Sequence, residues 1–292
     1  MDLSILLVSY NTRKLTLSAL ESIFKSLNTV DFRYEILVFD NCSNDESVGA
    51  IKKRFKEQLV LIESKTNLGF GRANNFLAQK AKGKHLLLLN SDIEVIGNAI
   101  PELLYFFKSE KFDFVGGKLL NSNLTSQPSA GPLYTPLVAL VALFFRGDYW
   151  GITRFSPQHS KQVGWISGAC ILTKKETYLA LGGFDEKIFL YMEEIDLFKR
   201  AQTLNLRVGF CPEARFIHQG FASSGNKSRP VLNVFRGYLY YYQKHYSPLA
   251  QLYIRFLLKT KAIIGYTLGV VFRNQYLKQT YNEAYKIVNQ PL

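Results

Sequence analysis

Leu86-Leu87-Leu88-Leu89-Asn90-Ser91-Asp92 runs four leucines into an amide, a hydroxyl and a carboxylate. A short unbroken apolar run reads as a strand buried on both faces, the pattern of parallel sheets. Asp92 then stands at the carboxyl end of that strand, where open α/β sheets bind ligands. Three more strands precede it: Ser4 to Val8, Tyr34 to Phe39 (ending at Asp40-Asn41), and Leu59 to Ile62. Helical patterns lie between them. After Asn11 or Thr12 as a cap, Leu17, Leu20, Ile23, Phe24 and Leu27 recur at helical spacing. After Asn44 or Asp45, the residues Val48, Ile51 and Phe55 line one side of a second helix, and the loop 65–71 leads into a third from Arg72 to Lys80. Strand and helix alternating at this pace predict an α/β chain with a mostly parallel sheet and helices on both faces.

The pattern loosens from about Asn121. Residues 121–136 are rich in Asn, Ser, Pro and Gly and predict a long loop. The apolar run Leu137 to Phe145 is far too short to span a bilayer. Order returns with a strand from Trp165 to Leu172 and a helix from Lys174 to Leu181 that ends at Gly182-Gly183. Met192-Glu193-Glu194-Ile195-Asp196-Leu197 opens another helix, to about Gln202. Short strands are expected at Arg207–Phe210 and Phe216–His218. Tyr238, Tyr240, Tyr241, Tyr242 and Tyr246 then crowd together with Arg236, Lys244 and His245, and Leu252 to Phe272 is apolar but broken by Arg255, Lys259 and Lys261. Basic charges in such a stretch fit a helix lying in a membrane interface, attracted to an anionic leaflet; a helical tail packed on the core fits as well.

A chain of 292 residues, 47% hydrophobic and 20% charged, is globular in composition. The formal charge of +13 predicts an anionic partner without choosing among nucleic acid, membrane and phosphorylated substrate. Lys and Arg are scattered and no nucleic-acid motif appears, so nucleic acid is not expected. Cys42, Cys170 and Cys211 are odd in number and far apart, which fits reduced thiols in a cytoplasmic protein. The first residues lack the basic flank and length of a secretory signal.

Several polar residues sit where chemistry is done, and each has a plainer reading beside it. Asp40 and Asn41 end a strand, where a carboxylate can accept the N3–H of uracil or thymine; an Asx turn explains them too. Asn67-Leu68-Gly69-Phe70-Gly71-Arg72-Ala73-Asn74-Asn75 allows close backbone approach at its glycines and offers the Arg72 fork to phosphate, or is a loop with a helix cap. Asp92 is a ligand for a divalent cation held jointly with a diphosphate, or a strand-to-turn aspartate. His218 is a ligand or a structural histidine. Three carboxylates at Glu193, Glu194 and Asp196 suit a helix start, where the dipole also keeps a base ionised.

Taken in order, these pieces resemble glycosyltransferase family 2, and within it the bacterial rhamnosyltransferase-like members. The matching segments are Val8-Ser9-Tyr10-Asn11, Asp40 to Asp45, Asn67 to Asn75, Leu89-Asn90-Ser91-Asp92, Gly168-Ala169-Cys170, Gly182-Gly183-Phe184-Asp185, Glu193 to Leu197, and Pro212-Glu213-Ala214 leading to His218. They span about residues 4 to 224. The resemblance implies a GT-A fold and an inverting transfer of a sugar from a nucleoside diphosphate donor, dTDP-rhamnose or a UDP-sugar. The basic, aromatic tail adds the expectation of a lipid-linked saccharide acceptor in bacterial surface polysaccharide synthesis, since it would bring the site to an anionic leaflet.

The resemblance also assigns roles. Ser9, Tyr10, Asn11, Asp40, Asn67, Gly69, Arg72, Asn75, Asn90 and Ser91 would bind the nucleotide sugar, and Gly168, Asp185 and Glu193 the acceptor. Asp92 and His218 would hold Mg²⁺ or Mn²⁺, although Asn90-Ser91-Asp92 keeps only the last carboxylate of the family's metal-binding triplet. Glu194 is the expected base, with Glu193 and Asp196 orienting the acceptor or the base; either of those two as the base stays open. The expected layout is a catalytic domain over residues 1–235, with a donor half to about 120 and an acceptor half from 121, and a tail over 236–292. The protein is expected in the cytoplasm, peripheral on the inner face of the membrane. A non-catalytic nucleotide-sugar or saccharide binder on the same fold is the alternative. A dehydrogenase is disfavoured, because no G-x-G-x-x-G follows the first strand.

Overall fold

The computed structural model describes residues 1–220 and 228–290; positions 221–224, the end of the stretch that carries the resemblance, lie outside them. The strands are β1 (Leu3–Ser9), β2 (Tyr34–Asp40), β3 (Val60–Glu63), β4 (His85–Asn90), β5 (Ile93–Val95), β6 (Phe114–Leu120), β7 (Ala130–Gly131), β8 (Lys161–Gln162), β9 (Trp165–Ile166), β10 (Cys170–Lys174) and β11 (Val208–His218). The helices are α1 (Arg13–Ser26), α2 (Ser47–Phe55), α3 (Phe70–Lys80), α4 (Ala99–Ser109), α5 (Pro136–Phe144), α6 (Lys175–Ala180), α7 (Glu193–Thr203), α8 (Ser228–His245), α9 (Pro248–Val271) and α10 (Gln275–Asn289).

The main sheet runs in the order β3-β2-β1-β4-β10-β6-β11-β5, with β8 beside β11. Strands β3, β2, β1, β4, β6 and β11 point one way, and β10, β5 and β8 oppose them. Alternation along β4 shows why the sheet is covered twice. Leu87 and Leu89 enter a core built with α1, α2 and α4, whereas Leu86 and Leu88 enter one built with α3 and the helices from α5 onward. Each such leucine contributes about 1.5–3 kcal/mol on burial. This is the layered GT-A arrangement that the resemblance implies.

Strand register also collects one edge. Successive strands β1, β2 and β3 step to one side of β1 while β4 lies on the other, so the sheet's switch point falls between the ends of β1 and β4. Val8 pairs with Asn90, Ser9 with Asp40, Leu89 with Cys170, and His218 with Ile93. The carboxyl ends of β1, β2, β4 and β11 and the amino end of β10 therefore share that edge.

The structure differs from the sequence reading in three places. The expected strand Trp165–Leu172 is broken at 167–169, where Ser167 Oγ accepts from the Ala169 amide and Ser167 O from Cys170, turning Gly168 to the sheet edge. The two strands expected at 207–210 and 216–218 are one, β11, with a bulge between Cys211 and Arg215 that periodicity alone does not register. The tyrosine-rich segment divides. Tyr238, Tyr241 and Tyr242 are buried in the larger core, and the Tyr242 and Tyr246 hydroxyls donate to Tyr134 O. The outer side of α9 stays exposed.

Candidate active site

At the switch point, hydroxyls close a small network. Ser9 Oγ meets Thr16 Oγ1 at 2.9 Å, and Thr12 Oγ1 meets Ser91 Oγ at 3.1 Å. Through Thr12 these hydroxyls join the end of β1 to the turn after β4. Asn11, at φ +52°, accepts from the Asn44 amide at 2.7 Å, which fastens the loop after β1 to the loop after β2. Tyr10 is half-buried beside it. Asp40 is buried; its Oδ2 accepts from the Ser43 amide at 2.9 Å and its Oδ1 has no partner. A buried acceptor left unpaired in a native fold calls for a ligand or water.

Asn41 holds the next loop, accepting from the Leu68 amide at 2.7 Å and donating to Gly69 O at 3.4 Å. Asn67 Oδ1 accepts from the Gly69 amide. Gly69 has φ +82°, and a Cβ there would lie 2.9 Å from the Phe189 ring, so no other residue fits. Arg72 turns to Glu186, donating to its carbonyl at 3.2 Å with its carboxylate at 3.6 Å. Asn75, expected at the nucleotide, is instead buried under the Gly182-Gly183 turn. Its Nδ2 donates to Phe184 O, and its Oδ1 accepts from the Phe184 amide and the Tyr178 hydroxyl, so the amide has nothing left for a ligand.

The Asp92–His218 pair follows from the pairing of β5 with β11. His218 Nε2 lies 3.4 Å from Asp92 Oδ1 and 3.3 Å from Asn90 Nδ2, and the Gln219 amide donates to Asp92 O. Gln127 is the residue the sequence did not point to. Its Nε2 donates to Asn121 Oδ1 and His218 O, so its Oε1 accepts from His218 Nδ1–H at 2.7 Å. That bond fixes the ring and turns Nε2 toward the carboxylate. With Nδ1–H spent on Gln127, the Nε2 lone pair accepts from the Asn90 amide, and Asp92 Oδ1 stands beside it. Asp92 and His218 are the two side chains here that would hold a divalent cation, leaving the rest of its shell to water and substrate phosphate. Among the described residues no group of three or more His, Cys, Asp or Glu is placed to hold a metal by itself.

Tyr191 and Met192 both lie at positive φ, +69° and +76°, a costly pair for non-glycine residues just before α7. The helix then opens on Glu193, Glu194 and Asp196, whose fates differ. Glu193 is buried and Glu194 half-buried, and each has one carboxylate oxygen without a partner. Burial raises both carboxyls; the neighbouring Glu194 charge raises Glu193 further, and Arg154 opposes the rise at Glu194. Arg154 stacks on Trp165, with its guanidinium carbon 5.6 Å from the ring, and its buried Nε is likewise unpaired. Trp165 Nε1 is a fourth orphan in the same neighbourhood.

Asp196 is fully buried and occupied. It accepts from Arg200 Nε at 2.8 Å, Lys244 Nζ at 2.8 Å and His245 Nε2 at 2.7 Å. Burial pushes its carboxyl up, but His245, Arg200 and Lys244 outweigh that and hold it down at about 2. A carboxylate so saturated is an anchor and not a proton acceptor. Asp185, expected at the acceptor, is bound in the same way by Tyr240 at 2.8 Å and Lys244 at 2.6 Å. Lys244 thus ties the loop before α7 and α7 itself to α8. Nothing in the sequence marked Tyr240, Lys244 and His245 for this, because the partners are about 50 residues apart.

Donor-side and acid-side loops touch. Phe70 packs on Phe184 with ring centroids 5.5 Å apart, Gly69 abuts Phe189, and a Cβ on Gly168 would meet Phe70 at 3.5 Å. The Asn90 amide donates to Ala169 O at 3.1 Å. Contacts therefore run from Asn90 through Gly168 and Phe70 to the segment leading into Glu193. Two cavities, of about 590 and 680 Å³, have linings that include none of the expected site residues.

Residues 4–136 match the model of the family described as Glycosyl transferase family 2. The O-antigen biosynthesis protein RfbC of Myxococcus xanthus is 26% identical over 216 residues, 70% of this chain but 16% of the relative, so the chain spans a small part of that protein. The N-acetylglucosaminyl-diphospho-decaprenol L-rhamnosyltransferase of Mycobacterium tuberculosis (strain ATCC 25618 / H37Rv) is 26% identical over 227 residues, covering 70% of this chain and 73% of the relative. Among solved structures, the mannosyltransferase PcManGT of Pyrobaculum calidifontis, in complex with GDP-Man and Mn²⁺, superposes with a TM-score of 0.59 at 14% identity. It covers 98% of this chain and 86% of that one, a likeness of fold.

Proposed function

We propose that the chain, whose residues 4–136 match Glycosyl transferase family 2, is a glycosyltransferase of that family performing an inverting transfer of rhamnose from dTDP-rhamnose, or of a sugar from a UDP donor. The acceptor in this reading is a hydroxyl of a lipid-linked saccharide in bacterial surface polysaccharide synthesis. The observation that carries it is the shared sheet edge on which the unpaired Asp40 oxygen, the Asp92–His218 pair and Gly168 stand, in contact with the loop that delivers Glu193 and Glu194. The printed name of the mycobacterial relative supports rhamnose and a diphospho-prenol acceptor.

In this reading Asp40 Oδ1 accepts the pyrimidine N3–H, while Tyr10, Asn11, Asn67 and the Gly69 backbone frame the nucleoside. Arg72, now on Glu186, would offer its fork to the diphosphate. Asp92 and His218, steadied by Gln127 and Asn90, would hold a divalent cation, which would supply charge neutralisation for the departing diphosphate. Glu194 takes the proton of the acceptor hydroxyl as that oxygen attacks the anomeric carbon from the face opposite the diphosphate. Glu193, whose carboxyl burial and the Glu194 charge push up, and Gly168 position the acceptor. Asp185 and Asp196 keep the loop rigid through Lys244. Residues 1–120 serve the donor, 121–235 the acceptor, and 236–292 peripheral attachment to an anionic membrane at the cytoplasmic face.

The test is a panel of nucleotide sugars assayed for donor hydrolysis and transfer, with and without Mn²⁺, on the wild type and Glu194→Gln. Transfer by the wild type and a fall of about 10²–10⁴ in the variant is expected. Near-normal turnover in a folded Glu194→Gln protein removes the assigned base.

A further inference from the structure

The apolar run 137–145 takes no part in the chemistry proposed above, and its surroundings give it another use. Helix α5 lies alongside α9: Pro136 joins Leu249, Leu252, Tyr253 and Phe256 in lining a groove of about 590 Å³, and at the other end Lys261 Nζ donates to Leu143 O. The rims of that groove are apolar and open to solvent. Leu137 is 68% exposed, Leu249 77%, Leu252 65% and Phe256 65%. The exposure continues at Ile263, Ile264, Val271 and Phe272 along α9, and at Phe145, Tyr149 and Trp150 beyond α5. Monomeric proteins seldom leave so extended an apolar surface bare.

Charge indicates what covers it. Residues 228–292 carry nine Lys or Arg (229, 236, 244, 255, 259, 261, 273, 278 and 286) and one acidic residue, Glu283. Arg146, Arg273, Lys278 and Lys286 are exposed, and Arg146 lies 5.2 Å over the Tyr149 ring. The carboxylate of that loop, Asp148, is occupied by the Thr153 hydroxyl. Among the described residues no helix is long and apolar enough to cross a membrane. A 24-residue helix about 36 Å long, apolar outside and free of acidic residues, is suited to lie in the plane of an interface.

We infer that the face formed by the outer stripe of α9, the α5 groove and the 145–152 loop is a seat for an anionic bilayer, with aromatic and basic residues at its rim. This rests on the membrane-bound acceptor proposed above and names the surface that meets the membrane. The surface includes α5 and its following loop, and not the C-terminal helices alone.

The test is co-sedimentation of the full chain with phosphatidylglycerol–phosphatidylcholine vesicles and with phosphatidylcholine vesicles. The expected result is preferential binding to the anionic vesicles, weakened by salt, and lowered about tenfold or more by Leu252→Glu with Phe256→Glu. A loop variant, Arg146→Gln with Trp150→Ala, gives the same direction without touching a helix. Donor hydrolysis, which needs neither surface, reports that each variant is folded. Undiminished vesicle binding in both variants overturns the inference. So does a dimer in light scattering that the α9 variant dissolves, since a second copy would then cover the face. Vesicle binding without any donor hydrolysis by the wild type overturns the transferase chemistry and leaves the surface standing.

Discussion

His218 Nε2 and Asp92 Oδ1 stand 3.4 Å apart because β11 and β5 pair in a register that sets His218 opposite Ile93. Gln127 fixes which nitrogen of the ring faces the carboxylate. Loss of an outer partner of this kind costs about 10–100-fold in metal affinity. Gln127→Leu is therefore expected to raise the Mn²⁺ concentration for half-maximal transfer by that factor, with little change in rate at saturating metal. A metal titration of initial rates checks it, and an unchanged half-point would show that the glutamine only braces the loop.

The readable and unreadable parts of this chain separate by the distance over which the information lies. Leu86 to Leu89 and the strands around it are local patterns, so the sheet and its carboxyl edge follow from periodicity. Asp40, Asp92 and His218 are legible as strand-end residues for the same reason. Asn75 stands in a glycine-rich segment that suits a nucleotide, and its bonds here go to a turn more than 100 residues away, which no local pattern announces. Gln127 and Arg154 sit in loops without a motif, and only tertiary pairing gives them neighbours. Aromatic crowding at 238–246 cannot tell a buried cluster from an interfacial one, because both favour large rings with a polar tip.

Asp196 separates stability from catalysis. Its carboxyl falls from 3.8 to about 2 on folding, so its contribution is present above the unfolded value and is lost as the pH falls toward 2. By linkage that is about 2 kcal/mol at neutral pH. Asp196→Asn leaves Lys244, Arg200 and His245 facing a neutral amide and is expected to cost about 3–5 kcal/mol. Urea unfolding from pH 7 down to the acid range should show the wild type losing this component on acidification and the variant lacking it.

Arg154 bears on the ionisation of Glu194, the proposed base. Burial raises the Glu194 carboxyl, and the Arg154 charge pulls it back. The other titratable groups sharing this neighbourhood are Glu193, Tyr134, Asp148 and Tyr238. A base must be ionised in the free enzyme, so kcat/KM should climb with pH along a limb lying above the ordinary glutamate range. Arg154→Gln removes the opposing charge and is expected to move that limb to higher pH, while Arg154→Lys leaves it close to the wild type. A pH–rate profile decides this, and a lower rate with an unmoved limb would assign Arg154 to packing alone.

Gly182 and Gly183 both lie at positive φ, +78° and +66°, but their surroundings differ. A Cβ on Gly182 meets nothing within 4 Å, whereas one on Gly183 would fall 2.2 Å from Asn75 Oδ1. Gly182→Ala should therefore cost only the left-handed backbone term, about 1–2 kcal/mol. Gly183→Ala adds to that the displacement of an amide oxygen that accepts from both the Phe184 amide and the Tyr178 hydroxyl, buried groups whose loss of a partner costs about 1–3 kcal/mol each. Because Phe184 begins the segment that leads to Glu193, Gly183→Ala is also expected to lower kcat where Gly182→Ala does not. Chemical denaturation and initial rates on the two variants test the pair; equal destabilisation would mean that Asn75 is free to move aside and does not latch the turn.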